Sequence, residues 1–160
     1  MALIADLPFK YRAMMALYPW RRVQPVPCSP LNKPLAEARI AVVTTGGLVT
    51  ADQVPFDNSV KGGDYSYRVI PGDVQVATLR ETHRSDAFDH SGVAADRNLA
   101  LPLDPVRALV ARGEIGSLAP RHLSFMGSVT APGRLIKQSA PEAAALLVAD
   151  EVDLVLLVPV

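Results

Sequence analysis

The densest run of chemistry-bearing side chains is THRSDAFDHSGVAADRN, Thr82 to Asn98, which holds His83, Asp86, Asp89, His90, Asp96 and Asn98. Imidazoles and carboxylates gathered in one place can bind a metal ion, relay protons or hold an ammonium group. Their spacing matches no standard zinc motif, and no cysteine lies nearby. Asp and Asn side chains also pin loops by bonding their own backbone. That alternative stays open for each residue singly, while the cluster as a whole points to function.

Three other stretches carry weaker signals. TTGGLV, from Thr44, lacks the full dinucleotide and P-loop patterns and reads as a tight turn with close backbone approach. RHLSFMGSVTAPG, residues 121–133, puts Ser and Thr at a strand-to-helix turn. Backbone N–H groups there could hold an anion, and Thr130 as a plain N-cap explains the turn equally well. Cys28, the only cysteine, sits in a proline-rich arm without a neighbouring base or cation, so an inert thiol is expected. No hydrolase-type nucleophile elbow is present.

The elements that must position these groups follow from periodicity. Residues 7–18 suit a short amphipathic helix ending before Pro19. QPVPCSPLNKPL, 24–35, has four prolines and must run extended. ARIAVVTTGG, 38–47, is an apolar strand that breaks at Gly46-Gly47. YSYRVI, 65–70, alternates as a strand, and 74–83 is ambiguous between strand and helix. Residues 84–103 show no period and are expected to form a long ordered loop. DPVRALVARGEIG predicts a helix with Asp104 as N-cap and Pro105 in the first turn, ending near Gly113. HLSFMG, 122–127, is a strand. SAPEAAALLVAD carries a capping box, Ser139 with Glu142, and an alanine-rich helix.

VDLVLLVPV, 152–160, is apolar throughout except Asp153 and the proline, and reads as a strand buried on both faces. Helix, strand, helix, strand in the second half means α/β. The expected fold is a mainly parallel sheet flanked by helices, with strands at 39–45, 122–126 and 153–159. Two segments are expected: an N-terminal helix and arm over 1–36, and the α/β domain over 37–160. Gly46-Gly47, Gly127-Ser128 and Val160 would share the carboxyl edge of the sheet, where ligands of open α/β sheets bind.

Composition narrows the function classes. Of 160 residues, 49% are apolar and 20% charged, which suits a globular protein. Lys+Arg and Asp+Glu are 16 each, so nothing suggests nucleic acid or an anionic membrane. One cysteine allows no internal disulfide, and no apolar run approaches the ~20 residues of a membrane span. A cytoplasmic location is expected. There is no signal-peptide pattern, repeat or low-complexity tract.

Taken together, AVVTTGGL, THRSDAFDHSGVAADRNLALPLD, HLSFMGS and VDLVLLVPV resemble the B-type selenoproteins of glycine, sarcosine and betaine reductase, with the related D-proline reductase subunit. The resemblance spans roughly residues 16–160. Asp89, Asp96 and Asn98 match the family pattern best, His83 and Asp86 match the subset nearest the D-proline enzyme, and His90 has no family role. The resemblance implies a reductase that cleaves a bond at the α-carbon of a small amine or amino acid. Its nucleophile is a selenocysteine or cysteine regenerated by a dithiol or thioredoxin-type reductant, and other reductase subunits are its partners.

In the family the nucleophile follows a strand like LLVPV. The chain is therefore expected to stop just before it, as a frame does when UGA is read as stop. The sheet would then be incomplete at its C-terminal end, and the chain alone inactive. No further cofactor and no metal are expected, and His83, Asp86, Asp89, His90, Asp96 and Asn98 are the candidate substrate-binding residues. Two other readings remain: a metal-dependent hydrolase built on the His/Asp loop, and a non-catalytic small-molecule binding module.

Overall fold

A computed structural model describes residues 8–18, 22–85 and 88–160. The chain forms two compact units, Met1–Pro30 and Leu31–Val160. In the first, helix α1 (Phe9–Leu17) begins after Pro8, and residues 22–30 are irregular, as four prolines in 24–35 require.

The second unit contains, in chain order, β1 (Arg39–Thr44), β2 (Leu48–Val49), β3 (Tyr67–Pro71), β4 (Arg80–Glu81), α2 (His90–Ala95), α3 (Leu103–Ala111), β5 (Ser117–Leu118), β6 (Arg121–Phe125), α4 (Ala140–Ala149) and β7 (Leu154–Val158). β1 is the hub. β7 runs parallel along one side of it, from Ile40 opposite Leu154 to Thr44 opposite Val158. The other side pairs in parallel first with β5, then with β6, and β3 closes the far edge of β6 antiparallel. The fold is thus α/β with a mainly parallel open sheet. A two-stranded ribbon, β2 with β4, stands apart from it.

Strand alternation sorts the core into two layers. Ile40 and Val42 point into one, with Ile70, Leu79, Phe88, Leu101, Leu103 and Val106. Ala41 points into the other, with Leu123, Ala143 and Leu147. Leu103 and Val106 of α3 are three residues apart, and Ala143 and Leu147 of α4 are four apart, the spacing of a single helix face. Helices therefore cover both faces.

Between the Ile40–Leu118 and Val43–Leu123 pairs, β1 advances three residues and its partner row five. Pro120, which has no N–H to give a ladder, lies in this bulge. The ring of His122 fills the vacated acceptor place: its Nδ1 accepts the Val42 N–H at 3.0 Å.

Four expectations need correction. Residues 84–103 are not without regular structure; they contain α2 and a 3₁₀ turn, Arg97–Leu99. α2 has only six residues, too few for a 3.6-residue period to register. Asp104 is not the N-cap of α3, because Leu103 is already helical behind Pro102, and the Asp104 carboxylate is held by Asn98 and Arg107. Ser139 is not a cap either. A π-helical turn, Leu135–Ser139, runs straight into α4, and Ser139 Oγ donates to Tyr65 O at 2.5 Å. Pro141 cannot donate to the carbonyl four residues back, and a π turn absorbs such a break. Finally, β7 is not buried on both faces. Among the described residues it pairs with β1 alone, and Leu157 is 68% exposed. Among the described residues no helix is long and apolar enough to cross a membrane.

A candidate active site at the carboxyl edge of the sheet

β1, β6 and β7 are parallel, so the turns that leave them meet at one edge. Thr45 links all three. Its N–H donates to Val158 O at 3.1 Å and its carbonyl accepts Gly127 N–H at 2.8 Å. Its hydroxyl accepts Val160 N–H at 3.0 Å.

The glycine pair is demanded by crowding. A Cβ on Gly46 would lie 2.8 Å from Ala100 Cβ and 3.4 Å from Val160 Cγ2. Gly47 has φ +66°, a left-handed backbone, and its missing Cβ would sit 3.0 Å from the His83 nitrogen. Gly46-Gly47 therefore admits both the chain after β4 and the residues after β7.

The β2–β4 ribbon delivers the His/Asp segment to this edge. Leu48 pairs with Glu81, and Thr82 donates to Gly47 O from its N–H (3.0 Å) and its hydroxyl (2.8 Å). Beyond Thr82 a ring stack forms. His83 lies on Phe88 with centroids 4.4 Å apart, and His90 meets the Phe88 edge at 5.1 Å. Glu81 fastens both sides: one carboxylate oxygen accepts the His83 N–H, and the other lies 2.7 Å from His90 Nδ1.

His83 is buried. Its Nδ1 accepts Ser85 N–H at 3.2 Å, while Nε2 has no partner among the described residues. Burial holds its pKa below the usual histidine value; Glu81 opposes this and His90 adds to it. Asp89 caps α2, accepting from Gly92 N–H at 3.0 Å and Ser91 Oγ at 2.8 Å. The Gly92 N–H, followed by the Ser91 hydroxyl, holds its carboxyl below the usual range.

Phe88, Asp89, Val93, Leu99 and Val160 line a cleft of about 220 Å³. On the sheet's other face a mostly apolar cleft of about 530 Å³ runs past Thr45, Gly127 and Leu157. Val160 and Thr45, hydrogen-bonded to each other, stand between the two.

The five described candidates therefore separate. His83, Asp89 and His90 gather at the carboxyl edge. Asp96 and Asn98 do not join them. Asp96 accepts from Asn98 N–H (2.9 Å) and Nδ2 (3.1 Å), and Asn98 bridges to Asp104 through Nδ2 (3.0 Å) and Oδ1 (3.1 Å). This clasp joins the 3₁₀ turn to α3 beside a different hollow of about 140 Å³. Asp86 lies outside the described residues. Among the described residues no three His, Cys, Asp or Glu side chains come together as a metal site.

Sequence reasoning passed over Glu81, Phe88 and Thr45. Glu81 lies two residues before His83, inside a stretch ambiguous between helix and strand. Strand periodicity would have put the two on one side.

The model of the glycine/sarcosine/betaine reductase selenoprotein B family matches residues 4–160. The D-proline reductase subunit gamma of Acetoanaerobium sticklandii is 35% identical over 129 residues, 81% of this chain and 51% of that protein. The sarcosine reductase complex component B subunit beta of Peptoclostridium acidaminophilum is 32% identical over 116 residues, covering 72% of this chain and 27% of that protein. The glycine reductase complex component B subunit gamma of Symbiobacterium thermophilum is 33% identical over 145 residues, 88% of this chain and 32% of its own length. The chain thus spans about half the length of the first relative and about a third or less of the other two. No solved structure matches it significantly. The strand-edge turns, the ring stack and Val160 all fall within residues 4–160, and the chain belongs to the glycine/sarcosine/betaine reductase selenoprotein B family.

Proposed function

We propose that this chain forms the substrate-holding part of a dithiol-dependent reductase subunit that cleaves a small amine or amino acid. One observation carries the reading: Phe88 and Asp89, beside the stack of His83 and His90 on Phe88, line a single cleft with Val160 at the carboxyl edge of a parallel sheet. Ligands of open α/β sheets bind at that edge.

In this reading His83, Asp89 and His90 contact or orient the substrate, with Asp86 from the same segment. Asp96 and Asn98 hold the segment in place. The nucleophile is a selenocysteine or cysteine at, or a few positions after, the residue following Val160. A selenolate or thiolate there would lie beside the turns after β1 and β6, at the carboxyl edge where the parallel strands end. Nothing within residues 1–160 competes for the role. Cys28 lies in the proline-rich arm, and hydroxyl groups cannot be re-reduced after attack. Other subunits of a reductase complex are the partners, a dithiol or thioredoxin-type protein the electron donor, and the cytoplasm the location.

The test reads the coding DNA beyond Val160 and assays the extended protein, with Cys at any UGA, for dithiol-dependent reduction of D-proline, sarcosine and glycine betaine. Turnover that is lost in His83→Ala and retained in Asn98→Ala is expected. An in-frame UAA or UAG directly after Val160, with no coding potential downstream, overturns the nucleophile assignment and leaves a binding module.

A further inference from the structure

Glu81 does something none of the candidate residues does: one carboxylate engages both halves of the ring stack. We propose that Glu81 is a positioning residue that keeps His90 as an imidazolium beside a neutral His83, and so fixes the charge at the cleft. The inference deepens the substrate-holding role proposed above and rests on it for its functional meaning.

The protonation states follow from the atoms each ring faces. His90 Nδ1 lies 2.7 Å from Glu81 Oε2, and His90 Nε2 lies 3.1 Å from Ser85 O. With Glu81 ionised both partners are acceptors, so both ring nitrogens carry hydrogen and the ring bears a positive charge. A charge-assisted bond of that length is among the stronger hydrogen bonds.

His83 is the opposite case. Its Nδ1 accepts the Ser85 N–H, which leaves its single ring hydrogen on Nε2. Nε2 is buried without a partner among the described residues, where a second positive charge would be costly. Ser85 is thus shared, its N–H serving one ring and its carbonyl the other.

Glu81 is suited to the task because little about it can move. Its backbone is paired with Leu48, and the next residue is bonded twice to Gly47 O. Its side chain is 15% exposed and that of His90 45%, so the anion is shielded while the cation reaches the surface. Among the described residues, two other charged groups of this segment are committed elsewhere. Asp89 is occupied with Gly92 and Ser91, and Arg84 donates to Val60 O at 3.2 Å. Phe88 touches both imidazoles and lines the cleft, so it joins the ring pair to the cleft wall.

The test uses ¹⁵N-labelled histidine, three residues in this chain, in wild type and two variants at pH 7. Wild type should show both ring nitrogens of His90 protonated and one bare nitrogen on His83. Glu81→Gln should lower the ratio of doubly to singly protonated His90 at least tenfold while His122, in the core, stays unchanged. Glu81→Asp should restore part of it, which a merely structural contact would not. D-proline titrated into the extended subunit should bind several-fold more weakly in Glu81→Gln. Absence of D-proline binding to an otherwise intact wild type would count against the substrate-holding role alone. A bare nitrogen on wild-type His90, or a doubly protonated His90 in folded Glu81→Gln, overturns the positioning of His90. Should Glu81→Gln fail to fold, the wild-type spectrum decides by itself.

Discussion

The hydroxyl of Thr45 accepts the backbone N–H of Val160 at 3.0 Å, tying the turn after β1 to the residues after β7. That bond closes the corner where the two clefts meet. Thr45→Val keeps the shape and removes the acceptor. The expected cost is about 1 kcal/mol in urea unfolding, with faster amide exchange at Val160 and little change at Val158. Unchanged exchange at Val160 would show that the hook does not hold the corner.

Gly46→Ala should be more damaging than its size suggests. The new methyl would sit 2.8 Å from Ala100 Cβ, a contact real Cβ atoms do not make. Either the turn after β1 or the 3₁₀ segment must shift, at a cost of about 1–3 kcal/mol. Calorimetry checks the stability, and a crystal structure of the variant would show which side gives way.

Acid should weaken the core through His122. Burial, helped by the charge of Arg107, pushes its pKa down to about 4 from 6.5. Between those values the unfolded chain binds a proton that the folded chain refuses, so stability rises with pH. The contribution is fully present above about pH 6.5 and is lost as pH falls toward 4, up to about 3 kcal/mol. Protonation would also take the acceptor from Val42 N–H. Urea unfolding at pH 7, 6, 5 and 4 should fall steeply in wild type. It should be flatter in His122→Gln, which starts lower.

Asn98→Ala should loosen the clasp between the 3₁₀ turn and α3, costing about 1 kcal/mol because the site is partly exposed. Substrate affinity should hold. A variant of normal stability that no longer binds amino acid would make Asn98 a ligand contact after all.

The outer edge of β7 should drive self-association. Leu154, Leu156 and Leu157 are all at least 38% exposed on a strand that, among the described residues, is paired on one side only. Apolar open edges recruit other strands. Sedimentation should show concentration-dependent association that Leu157→Lys reduces. A monodisperse monomer across the range would argue against an adhesive edge.

Much of the architecture was legible because parallel strands announce themselves as apolar runs. AVV in β1, HLSF in β6 and LVLLV in β7 lie where expected, and the alanine-rich run is α4. What escaped has a physical cause in each instance. The burial of β7 depends on what lies beyond it, and no run of leucines encodes its neighbours. Ser139 and Asp104 each stand where capping chemistry would place a cap. The helices began earlier because tertiary partners, Tyr65 O for one and Asn98 for the other, claimed those side chains. At the candidate site the residue types were visible, but their division was not. Asp89 and Asp96 are chemically alike and seven positions apart, yet one lines the cleft while the other closes an Asx turn. Only the course of the chain after α2 separates them.

The bulge at Pro120 and the central place of β1 have a consequence for how the chain acquires its structure. Val42 waits for a ring 80 residues further along, and Arg39 for a carboxylate 114 residues further on. Until β5 emerges at Ser117, the stretch IAVV lacks every strand it pairs with in the sheet. Contacts so distant along the chain must close large loops before they repay the lost entropy, which slows folding. On the ribosome β1 would emerge long before β6 or β7, an apolar ribbon in need of shelter. The growing chain should accordingly engage chaperones from the emergence of β1 until β6 and β7 have followed it out.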